Sequence, residues 1–385
     1  MPARVLIIPD KFKGSLTALE AAEAIAAGWR QVRPDDRLEL LPMSDGGDGF
    51  GEVLARHLGA EAREVESVDA AHRRIRATWW WVRRGRLALV ESARVIGLAQ
   101  LPRGRHHPFN LDTFGLGAVL RAVARLRPAR CLVGIGGSAT NDGGFGLARS
   151  LGWRFLSSSG QPIEEWTQLP SLARVLPPAR RVSLGRVEVA VDVRNRLLGL
   201  RGATRSYGPQ KGLRPEDFRL AEAALRRLQR VASNQLGLED RPAAKPGSGA
   251  AGGLGFGLHV FAGGRLVSGF ECFSRSARLE QRLARCHLVI TGEGAVDEGT
   301  VLMGKGVGRI ARMARRFNVP CLALAGAVAR PELARGCFTR LLAITPALTA
   351  AGDSLAHPAK WLRILASRAA SEWRVDARAG GRTGR

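Results

Sequence analysis

Residues Gly134 to Gly144 read GIGGSATNDGG, with five glycines, Ser138, Thr140, Asn141 and Asp142 in eleven positions. Just before them, Cys131-Leu132-Val133 is a short apolar run that reads as a strand. A chain that leaves a buried strand and discards most of its side-chain volume is making a tight turn or admitting something close to its backbone. The same rhythm recurs outward from this stretch. Arg4–Ile8 reads as a strand stopped by Pro9 and followed by DKFKGS. Thr17-Ala18-Leu19-Glu20 is then a capping box, and Ala22, Ile25, Ala26 and Trp29 mark one helix face. Leu38–Leu41 leads into PMSDGGDG and a helical stretch with Phe50, Val53, Leu54 and Leu58. Val187–Val191, His287–Thr291 and Cys321–Ala325 repeat the pattern.

This rhythm predicts an α/β fold with a mostly parallel sheet, whose ligands bind at the carboxyl ends of the strands. The loops there carry Asp10 and Lys13, Asp45 and Asp48, Ser138 to Asp142, Asp192 and Asn195, and Glu293 and Asp297. They are expected to share one sheet edge. Residues 60–100 read instead as antiparallel strands (RIRATWWWV, RLALVES), so a second, mixed-sheet domain is expected to interrupt the first.

Composition narrows the class. A chain of 385 residues that is 45% apolar can fill two domain cores. No apolar run reaches the length of a membrane span, and the apolar run after Arg4 is only four residues before Pro9, too short for a signal peptide. The five cysteines form no C-x-x-C pair, which signals neither a disulfide framework nor a zinc site and favours a reduced, cytoplasmic setting. The 59 basic and 34 acidic residues leave a net charge of +25, which invites a polyanion. The arginines are scattered singly and in pairs, however, with no aromatic-interleaved block or basic helix. They read as solvated surface, with no specific nucleic-acid partner and no membrane. Only six of the 59 basic residues are lysine, and Lys11, Lys13, Lys211 and Lys305 fall in glycine-containing loops: PDKFKGS, YGPQKG and MGKG. That clustering marks sites where a point cation is wanted in place of a guanidinium fork.

Three familiar motifs nearly match. Gly134-x-Gly136-x-x-Ala139 has the form of a dinucleotide fingerprint but lacks the acidic strand end about 20 residues on. Gly299 to Lys305 has Walker A spacing, but Gly306 stands where the Mg²⁺-binding hydroxyl belongs. The seven histidines show no metal-ligand spacing. What remains is a constellation. Glycine-rich backbone can approach a phosphate, lysines can neutralise it, and carboxylates can hold Mg²⁺ or take a proton. Together these are the parts needed for phosphoryl transfer to a small alcohol. A basic α/β nucleic-acid-binding protein without catalysis is the alternative class.

PDKFKGSLTALEAAEAIAAGW, PMSDGGDG, GIGGSATNDGG, DVRNRLLG, GPQKG, GAAGGLGFGL and TGEGAVDEGT…GKGVGRIA, in this order, resemble the type I glycerate kinases from about residue 5 to 330. The resemblance implies ATP-dependent phosphorylation of D-glycerate with a divalent metal such as Mg²⁺, most often at the 2-hydroxyl. It also implies a flavodoxin-like domain built from both chain ends (1–60 with 285–375) and a second domain inserted over 61–284; the closing stretch 376–385, ending in ARAGGRTGR, reads by itself as a frayed tail. On this reading Gly136, Gly137, Ser138, Thr140, Asn141, Asp142, Gly292, Glu293 and Gly294 handle nucleotide or phosphate. Lys13 and Lys305 neutralise phosphate charge. Ser15, Asn195, Gln210, Lys211 and Thr300 hold the acid substrate. Asp45, Asp192, Glu293 and Asp297 compete for the metal and the base, with Asp45, Asp192 and Asp297 as the metal set. A glycerate-kinase-like protein with altered substrate is a further alternative. The chain departs from the family at Arg196, at Glu298-Gly299, at Asp112 and at Ile96.

Overall fold

The computed structural model describes residues 2–102, 104–238, 240–297, 306–329 and 336–373. The strands among them are β1 (Arg4–Pro9), β2 (Arg37–Leu40), β3 (Glu61–Val68), β4 (Arg74–Val82), β5 (Leu87–Glu91), β6 (Arg130–Gly134) and β7 (Arg154–Ser157). They continue with β8 (Leu172–Leu176), β9 (Arg186–Val191), β10 (Arg265–Ser268), β11 (Leu288–Val296), β12 (Cys321–Val328) and β13 (Arg340–Ala343). The chain forms two compact units, residues 1–44 with 273–385, and residues 45–272.

The first unit holds a five-stranded sheet in the order β13-β12-β11-β1-β2, all neighbours parallel. With two strands from the start of the chain and three from its end, this is the flavodoxin-like order. Its first helix, Ala18–Val32, starts where the capping box requires. Thr17 Oγ1 accepts the Glu20 amide at 3.2 Å, and the Glu20 carboxylate accepts the Thr17 amide at 2.8 Å. Ile25 and Trp29 on its inner face meet Leu362, Leu365 and Ala366 of the helix Pro358–Glu372, all buried. Trp29 keeps its polar handle satisfied: Nε1 donates to Asp36 Oδ2 at 2.9 Å. Fully burying each such side chain contributes about 1.5–3 kcal/mol.

The second unit holds a six-stranded sheet in the order β10-β9-β6-β5-β4-β3. From β10 to β5 the neighbours run parallel; β4 and β3 continue antiparallel, which makes the sheet mixed. Trp79, Trp80 and Trp81 on β4 are all buried, so both faces of that strand are covered. A small antiparallel pair, β7 and β8, stands apart. Among the described residues no helix is long and apolar enough to cross a membrane.

Two expectations need correction. The polar loops do not share one sheet edge: β1, β2 and β11 end in the first unit's sheet, whereas β6 and β9 end in the second's. The strand–loop–helix rhythm is local, and it carries no record of which distant strands pair. Gly292, Glu293 and Gly294 are also not in a loop. β11 runs on to Val296 because Glu293, Ala295 and Val296 keep pairing with Ala325, Ala327 and Val328 of β12.

Candidate active site

In the second unit the carboxyl ends of β5, β6, β9 and β10 gather the unusual residues. β5 ends in the buried Glu91, whose carboxylate accepts the amides of Gly49 at 2.7 Å and Gly51 at 3.0 Å. Those amides open the helix Phe50–Leu58, where an anion is favoured. Burial nevertheless pushes the Glu91 carboxyl above the usual range, and Asp48 adds to that push, against the two amides and Arg94. Glu91 thereby pins the loop carrying Asp45 and Asp48. That loop lies directly on the turn after β6: Gly136 donates its amide to the Gly46 carbonyl at 3.1 Å. A Cβ on Gly136 would collide with the Gly47 backbone, and one on Gly137 with the Asp48 carboxylate. The close partner of this glycine-rich backbone is therefore, in the first place, another loop of the same unit. A Cβ on Gly46 would stand 3.4 Å from the Ala190 carbonyl near the end of β9, and Gly269 abuts the Asp45 carbonyl. Asp45 and Asp192 thus stand on adjoining loops, both half-buried.

The rest of the run is held by charge. Ser138, Thr140, Asn141 and Asp142 are buried. Lys211, last residue of the helix Ala203–Lys211 and itself buried, donates to Ser138 Oγ at 3.0 Å and to the Thr140 carbonyl at 2.6 Å. Asn141 Nδ2 donates to Thr204 Oγ1 at 3.1 Å. The Asp142 carboxylate accepts from the Thr113 amide at 3.0 Å, the Thr113 hydroxyl at 2.7 Å, and the amides of Gly146 at 2.9 Å and Gly144 at 3.2 Å. Burial, and secondarily the Asp112 carboxylate, push Asp142 up to about 6 against those donors. Burial likewise pulls Lys211 down to about 7, opposed by Asp142. Thr140 Oγ1 and Asn141 Oδ1 are buried without a hydrogen-bond partner among the described residues.

The remaining expected residues behave differently. Asn195 is engaged by its own loop and the helix that follows: it accepts from the Tyr207 hydroxyl at 2.6 Å and donates to the Arg201 carbonyl at 2.8 Å and to Ser206 Oγ at 3.0 Å. Burial and the Asp192 charge hold the Tyr207 hydroxyl well above the usual range. Gln210, next to Lys211, is exposed.

In the first unit, Asp10 and Lys13 follow β1. The Asp10 amide donates to the Gly292 carbonyl at 2.8 Å, and a Cβ on Gly294 would stand 3.2 Å from the Lys13 amide nitrogen. Lys13 and Asp297 are exposed, Glu293 half-buried. Ser15 closes its own turn, its hydroxyl donating to the Phe12 carbonyl at 3.1 Å. Lys305, Thr300 and the Glu298-Gly299 departure lie outside the described residues. The other departures have local roles or none: Ile96 is core, Asp112 accepts the Phe114 amide and pairs with His72 at 3.0 Å, and nothing in the structure explains Arg196.

Reading the sequence alone missed Glu91, Thr113 and Thr204. Glu91 carried a usable signal, since it ends the buried run LALVE just as Asp192 ends VEVAV. The two threonines carried none.

Among the described residues no group of three or more His, Cys, Asp or Glu side chains is placed to hold a metal by itself. Mg²⁺ does not require one. It takes one or two carboxylates and completes its shell with water and phosphate oxygens, so Asp45 and Asp192 on adjoining loops fit it.

Glycine-rich turns, lysines and carboxylates at the strand ends of one parallel and one mixed sheet are the parts expected of an α/β phosphotransferase. The comparisons agree with that class. Residues 5–374 match the model of the glycerate kinase family. The chain is 36% identical to a glycerate kinase of Halalkalibacterium halodurans over 329 residues, 84% of this chain and 85% of that one. It is 33% identical to the glycerate 2-kinase of Escherichia coli over 331 residues, again 84% and 85%. The crystal structure of a candidate glycerate kinase 2 from Salmonella typhimurium LT2 superposes with a TM-score of 0.79 at 32% identity, covering 96% of this chain and 98% of that one. The chain belongs to the glycerate kinase family.

Proposed function

We propose that the protein transfers the γ-phosphoryl group of ATP to the 2-hydroxyl of D-glycerate, giving 2-phosphoglycerate and ADP, with Mg²⁺ and in the cytoplasm. The observation that carries this reading is the convergence in the second unit of the Asp45–Asp48 loop, the Gly136–Ser138 turn and the end of β9 with Asp192. Family membership supplies the substrate, and the Escherichia coli relative's name supports the 2-position. All five cysteines are free thiols, which fits a reducing compartment.

The roles follow from chemistry. Asp192, half-buried at a strand end, accepts the proton of the attacking hydroxyl. Asp45 would hold Mg²⁺ with Asp192, on the adjoining loop, as a further ligand; the ion, when bound, would offset phosphate charge. The glycine-rich turn presents backbone amides to phosphate, and the exposed Lys13 is a phosphate-neutralising cation. Lys305 and Thr300 keep the phosphate and substrate roles the resemblance gives them. Gln210, exposed beside Lys211, takes the substrate carboxylate on this reading. Catalysis here is chiefly positioning and charge stabilisation, as phosphoryl transfer requires.

Incubating the purified protein with ATP, Mg²⁺ and D-glycerate tests the reading. ADP release that depends on D-glycerate is the expected result, and Asp192→Asn should lower it by about a hundredfold or more while circular dichroism stays native. ADP release indifferent to D-glycerate overturns it.

A further inference from the structure

We propose that Lys211 is a positioning residue: its ammonium fixes the Ser138–Thr140 backbone and acts on the reaction through that backbone, without touching the acid substrate. This rests on the phosphoryl-transfer reading above, and replaces for this one residue the substrate role that the sequence suggests.

Three observations carry it. First, the Lys211 ammonium is directed at the protein. Only 6% of the residue is exposed, and Nζ donates to Ser138 Oγ at 3.0 Å and to the Thr140 carbonyl at 2.6 Å, crossing more than 70 residues of sequence. Two of its three protons are therefore spent on the glycine-rich run. Second, the far end of that run is anchored by Asp142 through four donors, so residues 138–142 are held between two buried charges of opposite sign. Between those anchors Thr140 Oγ1 and Asn141 Oδ1 make no bond among the described residues, which leaves the lysine as the charged tie on the run's near end. Third, the neighbouring Gln210 is exposed while Lys211 is not, so a solvent-reachable polar group already stands beside it on the same helix.

The residue type follows. Burying an ammonium costs free energy unless it is bonded and offset, and here two acceptors and the Asp142 charge offset it. A hydroxyl and a carbonyl in different directions suit a point cation with rotatable donors better than a planar fork. A turn displaced by about 1 Å loses catalysis without losing affinity in proportion, because geometry in the transition state suffers first.

Amine-selective acetylation of the wild-type protein, read by peptide mass spectrometry, decides the matter without any variant or activity. Lys211 is expected to stay unmodified with or without D-glycerate while the exposed Lys360 is modified completely. Modification of Lys211 at a rate within tenfold of that of Lys360, or modification that D-glycerate blocks, overturns the proposal. Kinetics give a second reading. Lys211→Met is expected to lower kcat at least tenfold while KM for D-glycerate stays within about twofold, and amides of residues 136–144 should exchange with deuterium at least tenfold faster. A tenfold rise in KM with kcat unchanged makes Lys211 a substrate anchor instead, and wild-type kinetics also sink the idea. If Lys211→Met does not fold, the acetylation result stands alone. A wild-type protein without glycerate-dependent ADP release would refute the functional reading, and the labelling would still decide whether Lys211 faces solvent or the loop.

Discussion

The two units carry similar residue types at the carboxyl edges of their sheets, yet they hold them in opposite ways. In residues 45–272 three charged groups are buried and tied to the protein: Asp142 takes four donors, Lys211 two acceptors, and Glu91 two helix-opening amides. In the unit made of both chain ends, Lys13 and Asp297 are exposed. The contrast teaches that one edge is rigid by construction, its geometry fixed at the cost of burying charge, whereas the other presents charge to solvent. Changes at the buried, tied groups of the first edge should cost folding and turnover together; changes at the exposed charges of the second should cost turnover alone.

The largest expected break is Asp142→Ala. It leaves the amides of Thr113, Gly144 and Gly146 buried without their acceptor and Lys211 without its counter-charge, which should destabilise the protein by about 3 kcal/mol or more in urea unfolding. A loss below about 1 kcal/mol would mean that this edge is not held by charge.

A pH experiment sharpens the same point. Lys211 titrates near 7 in the fold and at its ordinary value of 10.5 when unfolded, so between those values the unfolded chain binds a proton that the folded chain does not. Stability contributed by this group should therefore rise as pH increases from about 7 towards 10.5. Urea midpoints at pH 7 and pH 9 should show the rise in the wild type and lose it in Lys211→Met. An identical pH response in the two proteins would remove the lysine from the account.

The smallest stability effect belongs to the other unit. Lys13→Ala should lower turnover about tenfold through lost charge stabilisation of phosphate, and leave stability within about 0.5 kcal/mol. Unfolding on a par with Asp142→Ala would erase the distinction between the two edges.

Much of this was legible in the sequence, and the failures have physical reasons. The capping box at Thr17, the strands at Arg4, Cys131 and Val187, and the antiparallel stretch around Trp79–Trp81 were all readable because their signals are local: a reciprocal hydrogen bond, a short apolar run, a turn. The division of the loops between two sheets was not, because β1 pairs with β11 across more than half the chain and no local pattern records it. The glycines of GIGGSATNDGG announced close approach correctly, but not by what; Gly136 and Gly137 meet the Gly47 backbone and the Asp48 carboxylate, a contact between stretches about 90 residues apart. Glu91 went unread although it ends a buried strand in the manner of Asp192. Lys211 stood out by rarity alone, and rarity says that an ammonium is wanted without saying whether a substrate or a loop wants it.

The central claim is that this chain phosphorylates glycerate, and at carbon 2. D-glycerate offers a secondary hydroxyl beside its carboxylate and a primary one a single carbon further on, and one aspartate could deprotonate either. The direct measurement couples the reaction with ATP, Mg²⁺ and D-glycerate to enolase, pyruvate kinase and lactate dehydrogenase, with phosphoglycerate mutase left out. The account predicts NADH oxidation that needs D-glycerate, this protein and enolase but no mutase. A signal that appears only once mutase is added would mean the 3-isomer and contradict it.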